Sequence, residues 1–334
     1  MSTQEPASNG LTLVSLFAGC GGSSLGYKMA GYDVRLAVDW DPKAAACYRV
    51  NFPSTPFWEG DVAKLPNDKA LSLSGLSAGE LDVLDGSPPC QGFSTAGRRR
   101  FADARNGLFR EFARLLGAFR PRAFVMENVS GLRKGKMRLA FAEMTLALKG
   151  AGYRVSCREL NAWWWGVPQD RRRLIWVGLR ADLGVAPSHP APTARRPVSV
   201  AESLGLPGEI RVGIFGYKYV DTRLRASPCL RAAAPPLVRV KPYAGWESTP
   251  PGGCVVSWQA RKLCGRRPSF TQIGSQRNWH PVEARPITVA EAKTLQGFPE
   301  SFQVSEYRLI GDSVPPPMAE AVGRHVAGLL KAAA

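Results

Sequence analysis

Leu11-Thr-Leu-Val-Ser-Leu-Phe-Ala-Gly-Cys-Gly-Gly22 decides the fold of this chain. Its first half is an apolar run of strand length. Its second half is a glycine-rich turn, and Ser23 to Ala30 then reads as a helix ended by Gly31. A strand that enters a helix through such a turn opens an α/β sheet and points backbone N–H groups at a ligand. The turn is not the G-x-G-x-x-G of a dinucleotide site, because Ser23-Ser24 stands where the third glycine would be.

The same alternation continues outward. Val34 to Val38 is a strand closing at Asp39, and Asp41-Pro42 caps a helix running to about Val50. A strand precedes Asp61, and Leu81 to Asp85 is another. Leu108 to Phe119 has helical amphipathicity, Arg122 to Met126 reads as a strand ending at Glu127-Asn128, and Arg138 to Lys149 as a helix. Strands follow at Tyr153 to Leu160 and Leu174 to Leu179. This order predicts an α/β fold with a doubly wound, mostly parallel, Rossmann-like sheet. Composition changes after Arg180: prolines crowd in and helical periodicity fades until Thr288. The expected division is a loose tail over 1–10, a main domain over 11–180 plus 286–334, and a smaller irregular domain over 181–285. The helix from Met318 to Lys331 is expected to pack back on the main domain.

With 334 residues and 45% hydrophobic content the chain can bury a full core. Nothing approaches a membrane span, and the first ten residues lack a signal-peptide core. Seven scattered cysteines without C-x-x-C spacing and three distant histidines argue against a zinc site or a disulfide framework. A reducing compartment fits best. The net charge of +17 and the pI near 10 point to a polyanionic partner. The distribution supports this: residues 180–285 hold 16 Lys/Arg against 6 Asp/Glu, and residues 94–140 hold 12 against 3.

The second basic stretch begins right after Gly86-Ser-Pro-Pro-Cys-Gln-Gly-Phe-Ser94. Two prolines fix the backbone before Cys90, and Gly92 permits a sharp exit. Placed just past a strand's carboxyl end, Cys90 reads as a presented nucleophile rather than an inert buried thiol. No histidine is near in sequence, so activation would come from the positive field and helix N-termini. Glu127 closes the next strand and becomes a proton donor if its environment raises its pKa; a solvated acid is the plain alternative. Arg171 and Arg173 alternate on a strand and so point to one face, where they could grip a carboxylate, carbonyl or phosphate. Asp39 stands where a ribose hydroxyl would be met, and Trp40 beside it suits an adenine.

Together these peptides resemble the DNA cytosine-5 methyltransferase family of bacterial type with one recognition domain, over nearly the whole chain from Leu11 to Leu330. The blocks Phe17–Gly22, Asp39-Trp40, Ser87–Ser94, Glu127–Val129, Gly166–Arg173, Gln296–Pro299 and Gly311–Val314 stand in family order. The resemblance implies a class I fold that binds S-adenosyl-L-methionine, without metal, through Phe17, Gly19, Cys20, Gly21, Gly22, Asp39, Trp40, Asp61, Pro89, Leu108, Asp312, Ser313 and Val314. It implies that Cys90 attacks C6 of a flipped cytosine, that Glu127 holds N3 with Asn128 orienting it, and that Arg171 and Arg173 hold the base O2 and the carboxylate in either order. Pro88, Gln91, Ser94, Arg98 and Arg99 would contact the substrate, with 92–105 as a closing loop. The implied partner is double-stranded DNA, and the implied setting is a cytoplasmic, nucleoid-associated monomer without membrane contact. A cognate restriction endonuclease would act separately.

Two departures stand out. Asp39 replaces the family's glutamate at the ribose position, a shorter arm to the same hydroxyls. Asp312 replaces its asparagine, so an extra carboxylate either faces the donor's positive charge or makes only local hydrogen bonds. The rival readings are a transfer-RNA methyltransferase of the same family and a DNA-binding paralogue without activity. Phe93-Ser94 and the long 181–285 region favour DNA, and the intact Cys90, Glu127 and Arg173 favour an enzyme.

Overall fold

The computed structural model describes residues 7–89, 107–206, 269–270 and 287–333. Cys90, Gln91, Ser94, Arg98, Arg99 and most of the region 181–285 lie outside the described residues. The chain divides into two compact units: Met1–Leu160 with Arg172–Pro192 and Ser313–Ala334, and Asn161–Arg171 with Thr193–Asp312.

The first unit carries a seven-stranded sheet. Its strands are β1 (Thr12–Leu16), β2 (Asp33–Asp39), β3 (Phe57–Glu59), β4 (Val83–Gly86), β5 (Ala123–Val129), β6 (Tyr153–Asn161) and β8 (Arg172–Arg180). The order is β3-β2-β1-β4-β5-β8-β6. The contacts from β3 to β5 are all parallel, and β8 joins β5 antiparallel. The crossovers are helices, as parallel pairing requires. They include α1 (Gly22–Met29), α2 (Pro42–Asn51), α3 (Asn67–Ser74), α4 (Leu108–Phe119) and α5 (Arg138–Gly150). The fold is thus the mostly parallel α/β sheet that the alternation predicts. The central strands β1, β4 and β5 are almost wholly buried.

The predicted element ends are set by local chemistry. Asp41 accepts from the Lys43 N–H and Pro42 occupies the first turn of α2. Helix α4 buries Phe109, Phe112, Leu115, Leu116 and Phe119 on one face. Phe112 meets Phe124 of β5 edge-on at 6.0 Å, and Phe124 meets Tyr153 at 5.3 Å. At the opposite end of the strands Asp82 is the knot. It accepts from Thr12 N–H and Oγ1 and pairs with Arg122 at 3.0 Å, while Arg122 also donates to the Leu330 carbonyl.

The last helix, α9 (Pro316–Ala332), packs on α1 as expected. Residues 7–10 correct the expectation of a loose tail. Asn9 donates to the carbonyls of Ala30 and Gly31, and its Oδ1 accepts from Leu11 N–H, so the chain is tied down from Asn9 onward.

The second unit holds a two-stranded pairing of β7 (Gln169–Asp170) with β9 (Ser269–Phe270), and the helices α6 (Val200–Ser203), α7 (Val289–Gln296) and α8 (Tyr307–Asp312). Thr288 and Glu291 form a capping box at the start of α7. Among the described residues no helix is long and apolar enough to cross a membrane.

Candidate active site

The first turn is held in a shape few residues tolerate. Phe17, Gly19 and Gly21 all have left-handed backbone, with φ of 56°, 56° and 97°. For Phe17 that conformation costs about 1–3 kcal/mol. A Cβ on Gly21 would lie 2.3 Å from the Phe52 ring, so glycine is required there by both backbone and space. Asp39, at the end of β2, latches the turn: its Oδ2 accepts from Gly19 N–H at 2.8 Å and its Oδ1 from Asp41 N–H at 2.9 Å. Burial raises the Asp39 carboxyl above its ordinary range, against the pull of these N–H bonds. Trp40, next along, is 74% exposed. Cys20 is buried, and its hydrogen bond to Cys47 on α2 lowers the Cys47 pKa. Gly22 begins α1. Asp61 is exposed and caps the short 3₁₀ turn Val62–Lys64 by accepting from Ala63 N–H. Leu108, the first residue of α4, packs against the core.

Glu127 lies near the carboxyl end of β5, opposite Ile175 in the ladder with β8. Arg173 stands two residues before Ile175, on the same face and diagonally across from Glu127. Its Nε reaches Glu127 Oε1 at 2.7 Å, and both side chains are largely buried, at 14% and 12% exposure. The pair is a short charge-assisted contact that fixes the carboxylate in place. Next to it, Asn128 is buried and donates through Nδ2 to the Pro88 carbonyl at 3.0 Å, while its own Oδ1 accepts from Val129 N–H. The acid strand is thereby tied to the Ser87-Pro88-Pro89 segment, the last described residues before Cys90.

The two arginines do not share a strand, which corrects the expectation that they alternate along one. Arg171 falls between β7 and β8 and belongs to the second unit, whereas Arg173 belongs to the first. Alternation along a continuous strand is therefore lost at residue 171. Arg171 is 2% exposed and donates to the Gly311 carbonyl at 3.1 Å. Its backbone is held by Asn161 Oδ1 and by Ala162 N–H. Gln169 donates to Gln296 Oε1 at 2.6 Å and to the Leu295 carbonyl, so two of the sequence blocks meet within this unit. The Asp312 carboxylate lies 3.7 Å from Arg308, one turn earlier on α8, and is well exposed. Ser313 is buried, and Val314 is half-buried at the start of the segment leading into α9.

One buried titratable group escaped the sequence. Asp85, in the middle of β4, is 4% exposed, with Ser15 Oγ at 3.3 Å, Tyr27 Oη at 3.3 Å and a hydrogen bond from Ser23. Burial lifts its carboxyl to about 7, the hydroxyls of Ser23, Tyr27 and Ser15 pull it down, and Glu127 pushes it up. The only available signal was a charged residue inside an apolar strand pattern, in Leu81-Asp-Val-Leu-Asp85.

A folded-state pKa above the unfolded one stabilises the fold below about pH 4, and that stabilisation is lost as pH rises through about 7. Compared with Asp85→Asn, the wild-type chain should lose up to about 4 kcal/mol between pH 4 and 7.5, at about 1.4 kcal/mol per pKa unit. Urea unfolding of both forms across that range measures it; parallel curves would show that Asp85 is not the titrating group.

The C-5 cytosine-specific DNA methylase family model matches residues 11–204 and 245–327. The chain is 34% identical over 364 residues to the Type II methyltransferase M.XorII of Xanthomonas oryzae pv. oryzae, covering 95% of this chain and 85% of that one. It is also 34% identical over 331 residues to the Type II methyltransferase M1.HphI of Haemophilus parahaemolyticus, covering 95% and 86%. Among solved structures, a prophage-encoded candidate DNA modification methyltransferase from E. coli superposes with a TM-score of 0.76 at 26% identity, over 96% of this chain and 99% of that one. With the glycine turn latched by Asp39 and the buried Glu127–Arg173 pair at the strand ends, these matches place the chain in the C-5 cytosine-specific DNA methylase family.

Proposed function

We propose that the chain flips a cytosine out of duplex DNA and methylates its C5 through a covalent bond between Cys90 and C6. The observation that carries this reading is the Glu127–Arg173 pair joined through Asn128 to the Pro88 carbonyl, which builds a fixed acid beside the segment leading to Cys90. C5 of cytosine is a poor nucleophile. Addition of the Cys90 thiolate to C6, with a proton placed on N3 by Glu127, makes C5 an enamine carbon. Arg173 orients Glu127, and Asn128 ties the Pro88 carbonyl to the strand that carries the acid.

The donor site fits S-adenosyl-L-methionine. The Asp39 carboxylate suits ribose hydroxyls, the exposed Trp40 ring suits adenine, and the left-handed turn from Phe17 to Gly21 offers backbone N–H groups. When bound there, the cofactor supplies an electrophilic methyl group. Asp39→Ala should unlatch Gly19 and weaken binding of S-adenosyl-L-homocysteine by about 10- to 100-fold, the range for a hydrogen bond to a charged group. Calorimetry measures it; unchanged affinity would remove Asp39 from the site.

Residues 181–285, with their surplus of nine positive charges, are the proposed target recognition domain, combining phosphate grip with base contacts. The expected setting is a cytoplasmic monomer at the nucleoid, belonging to a restriction-modification system with a separate endonuclease or acting alone. Duplex DNA carrying 5-fluorocytosine should form a covalent complex that Cys90→Ala abolishes. Transfer RNA in place of DNA is the control: adducts with RNA alone would overturn the DNA assignment. Bisulfite sequencing of DNA from a methylation-free host expressing the chain would then give the recognised sequence.

A further inference from the structure

Asp85 is not used by the chemistry above, yet it lies on the same face of the sheet as the proposed acid. The ladder places Ser15 of β1 beside Asp85 of β4, and Asp85 beside Val125 of β5. Glu127 stands two residues beyond Val125 and so points to the same side. Between that face and the α1 and α9 helices lies a cavity of about 10 Å³, the size of one water molecule. Asp85 and Glu127 both line it, with Ser23 and Tyr27 of α1. Its remaining walls are apolar, among them Ile175, Val314 and Met318. Two carboxyls lining one water-sized space is the arrangement that lets one water bridge them.

We propose that Asp85 is a positioning residue for methyl transfer, which stores the proton that Glu127 places on N3 and exchanges it with Glu127 through a water in the shared cavity. This rests on the reading of Glu127 given above. As the Cys90 sulfur bonds to C6, the C5=C6 pair moves toward C4 and the C4=N3 pair toward N3. N3 takes the proton from Glu127, and Asp85 refills Glu127. Once C5 has taken the methyl group, solvent water removes its own proton, the C6–S bond breaks and the thiolate leaves, and the N3 proton returns to Glu127 and then to Asp85. No net proton is consumed by the pair.

The surroundings explain why Asp85 suits this. Among the described residues it has no cationic partner; the hydroxyls of Ser15, Ser23 and Tyr27 stabilise its anion, while burial and Glu127 favour its neutral form. Its field also reaches Tyr48, and burial pushes that phenol well above its ordinary range, so it stays neutral. Both protonation states of Asp85 are therefore accessible near neutral pH. Glu127, in contrast, is clamped by Arg173 at 2.7 Å.

The test is single-turnover methyl transfer to cytosine-methylation-free phage DNA, from pH 5.5 to 9, with the full chain. Asp85→Asn keeps the size and an acceptor for the three hydroxyls but holds no exchangeable acid proton. It should slow transfer about 10- to 100-fold near pH 7 and remove the inflection near pH 7 from the profile, with DNA affinity unchanged. Tyr27→Phe deletes one donor to the Asp85 anion and should move that inflection to higher pH. A merely structural role would lower the rate evenly and leave the inflection in place; that result, or a wild-type profile in Asp85→Asn, overturns the proposal. Glu127→Gln is the internal control. If it retains the wild-type rate, or if the wild-type chain makes no 5-methylcytosine, the reading of the site itself fails and the relay with it. Thermal melting of Asp85→Asn at pH 7 separates misfolding from lost proton exchange, and Tyr27→Phe decides the matter should Asp85→Asn melt early.

Discussion

Glu127→Gln is expected to lower methyl transfer to duplex DNA by about 10²- to 10⁴-fold, the usual contribution of a positioned acid–base group. The substitution keeps length and planarity, and an amide can still accept from Arg173 Nε, so the local structure at 2.7 Å should survive. It removes the exchangeable proton that N3 needs when the sulfur adds to C6. The loss should therefore fall on kcat, with KM for DNA little changed, because the interaction is made in the transition state. Radiolabelled methyl incorporation under saturating and subsaturating DNA measures both constants. A rise in KM at constant kcat would mean that Glu127 merely binds the base. Arg173→Ala should produce a related but distinct loss: it leaves a buried carboxylate without its cation, which costs more in stability than Glu127→Gln does.

Gly26→Ala is expected to destabilise the fold by about 3 kcal/mol, the upper part of the range for overpacking. A Cβ at this position would lie 2.4 Å from the Pro316 carbonyl oxygen, 2.6 Å from Ala319 Cβ and 2.7 Å from Glu320 N. Two of those atoms are backbone of α9 and its first turn, so they cannot swing aside as a side chain can. The contact is reciprocal, since Gly323 of α9 faces Tyr27 and Ala30, where a Cβ would meet Tyr27 at 2.9 Å. Tyr32 Oη and Arg324 then tie the pair by donating to the carbonyls of Gly323 and Met29. The loss should appear despite the roughly 1 kcal/mol by which alanine favours a helix over glycine. Chemical denaturation measures it, and a change smaller than about 1 kcal/mol would show that α1 and α9 can separate without cost. Because α1 carries Ser23 and Tyr27 and α9 carries Met318 and Val322, the same substitution should widen the cavity beside Glu127 and slow catalysis at temperatures where the chain is still folded.

Much of this could be read along the chain because it is local. The strand from Leu11, the glycine turn after it and the Asp41-Pro42 cap are decided within a few residues by sterics and hydrogen bonding, and the structure has them where expected. Helix α4 spans the predicted Leu108–Phe119 because its apolar stripe repeats at helical spacing. The site residues at strand ends were legible for the same reason: an acid that closes an apolar run in an open sheet has one place to go. Arg171 was misplaced because a two-residue strand, the irregular residue after it and a nine-residue strand look continuous in sequence. Only the hydrogen bonds of Arg171 to Gly311 and Asn161 show the break.

The sequence by itself determined the class of fold and the residue types of the site, since periodicity, capping and turn chemistry act over short separations. Only the tertiary structure decided which of those residues work on one another. Arg173 became the partner of Glu127 because an antiparallel strand inserted beside β5 sets a diagonal register that no linear spacing encodes. Asp85 became a buried titrating group because β1, β4, β5, α1 and α9, from segments up to about 300 residues apart, close around it and remove its water. Desolvation is a property of what surrounds a group in space, and a chain acquires it when the sheet and its two covering helices come together.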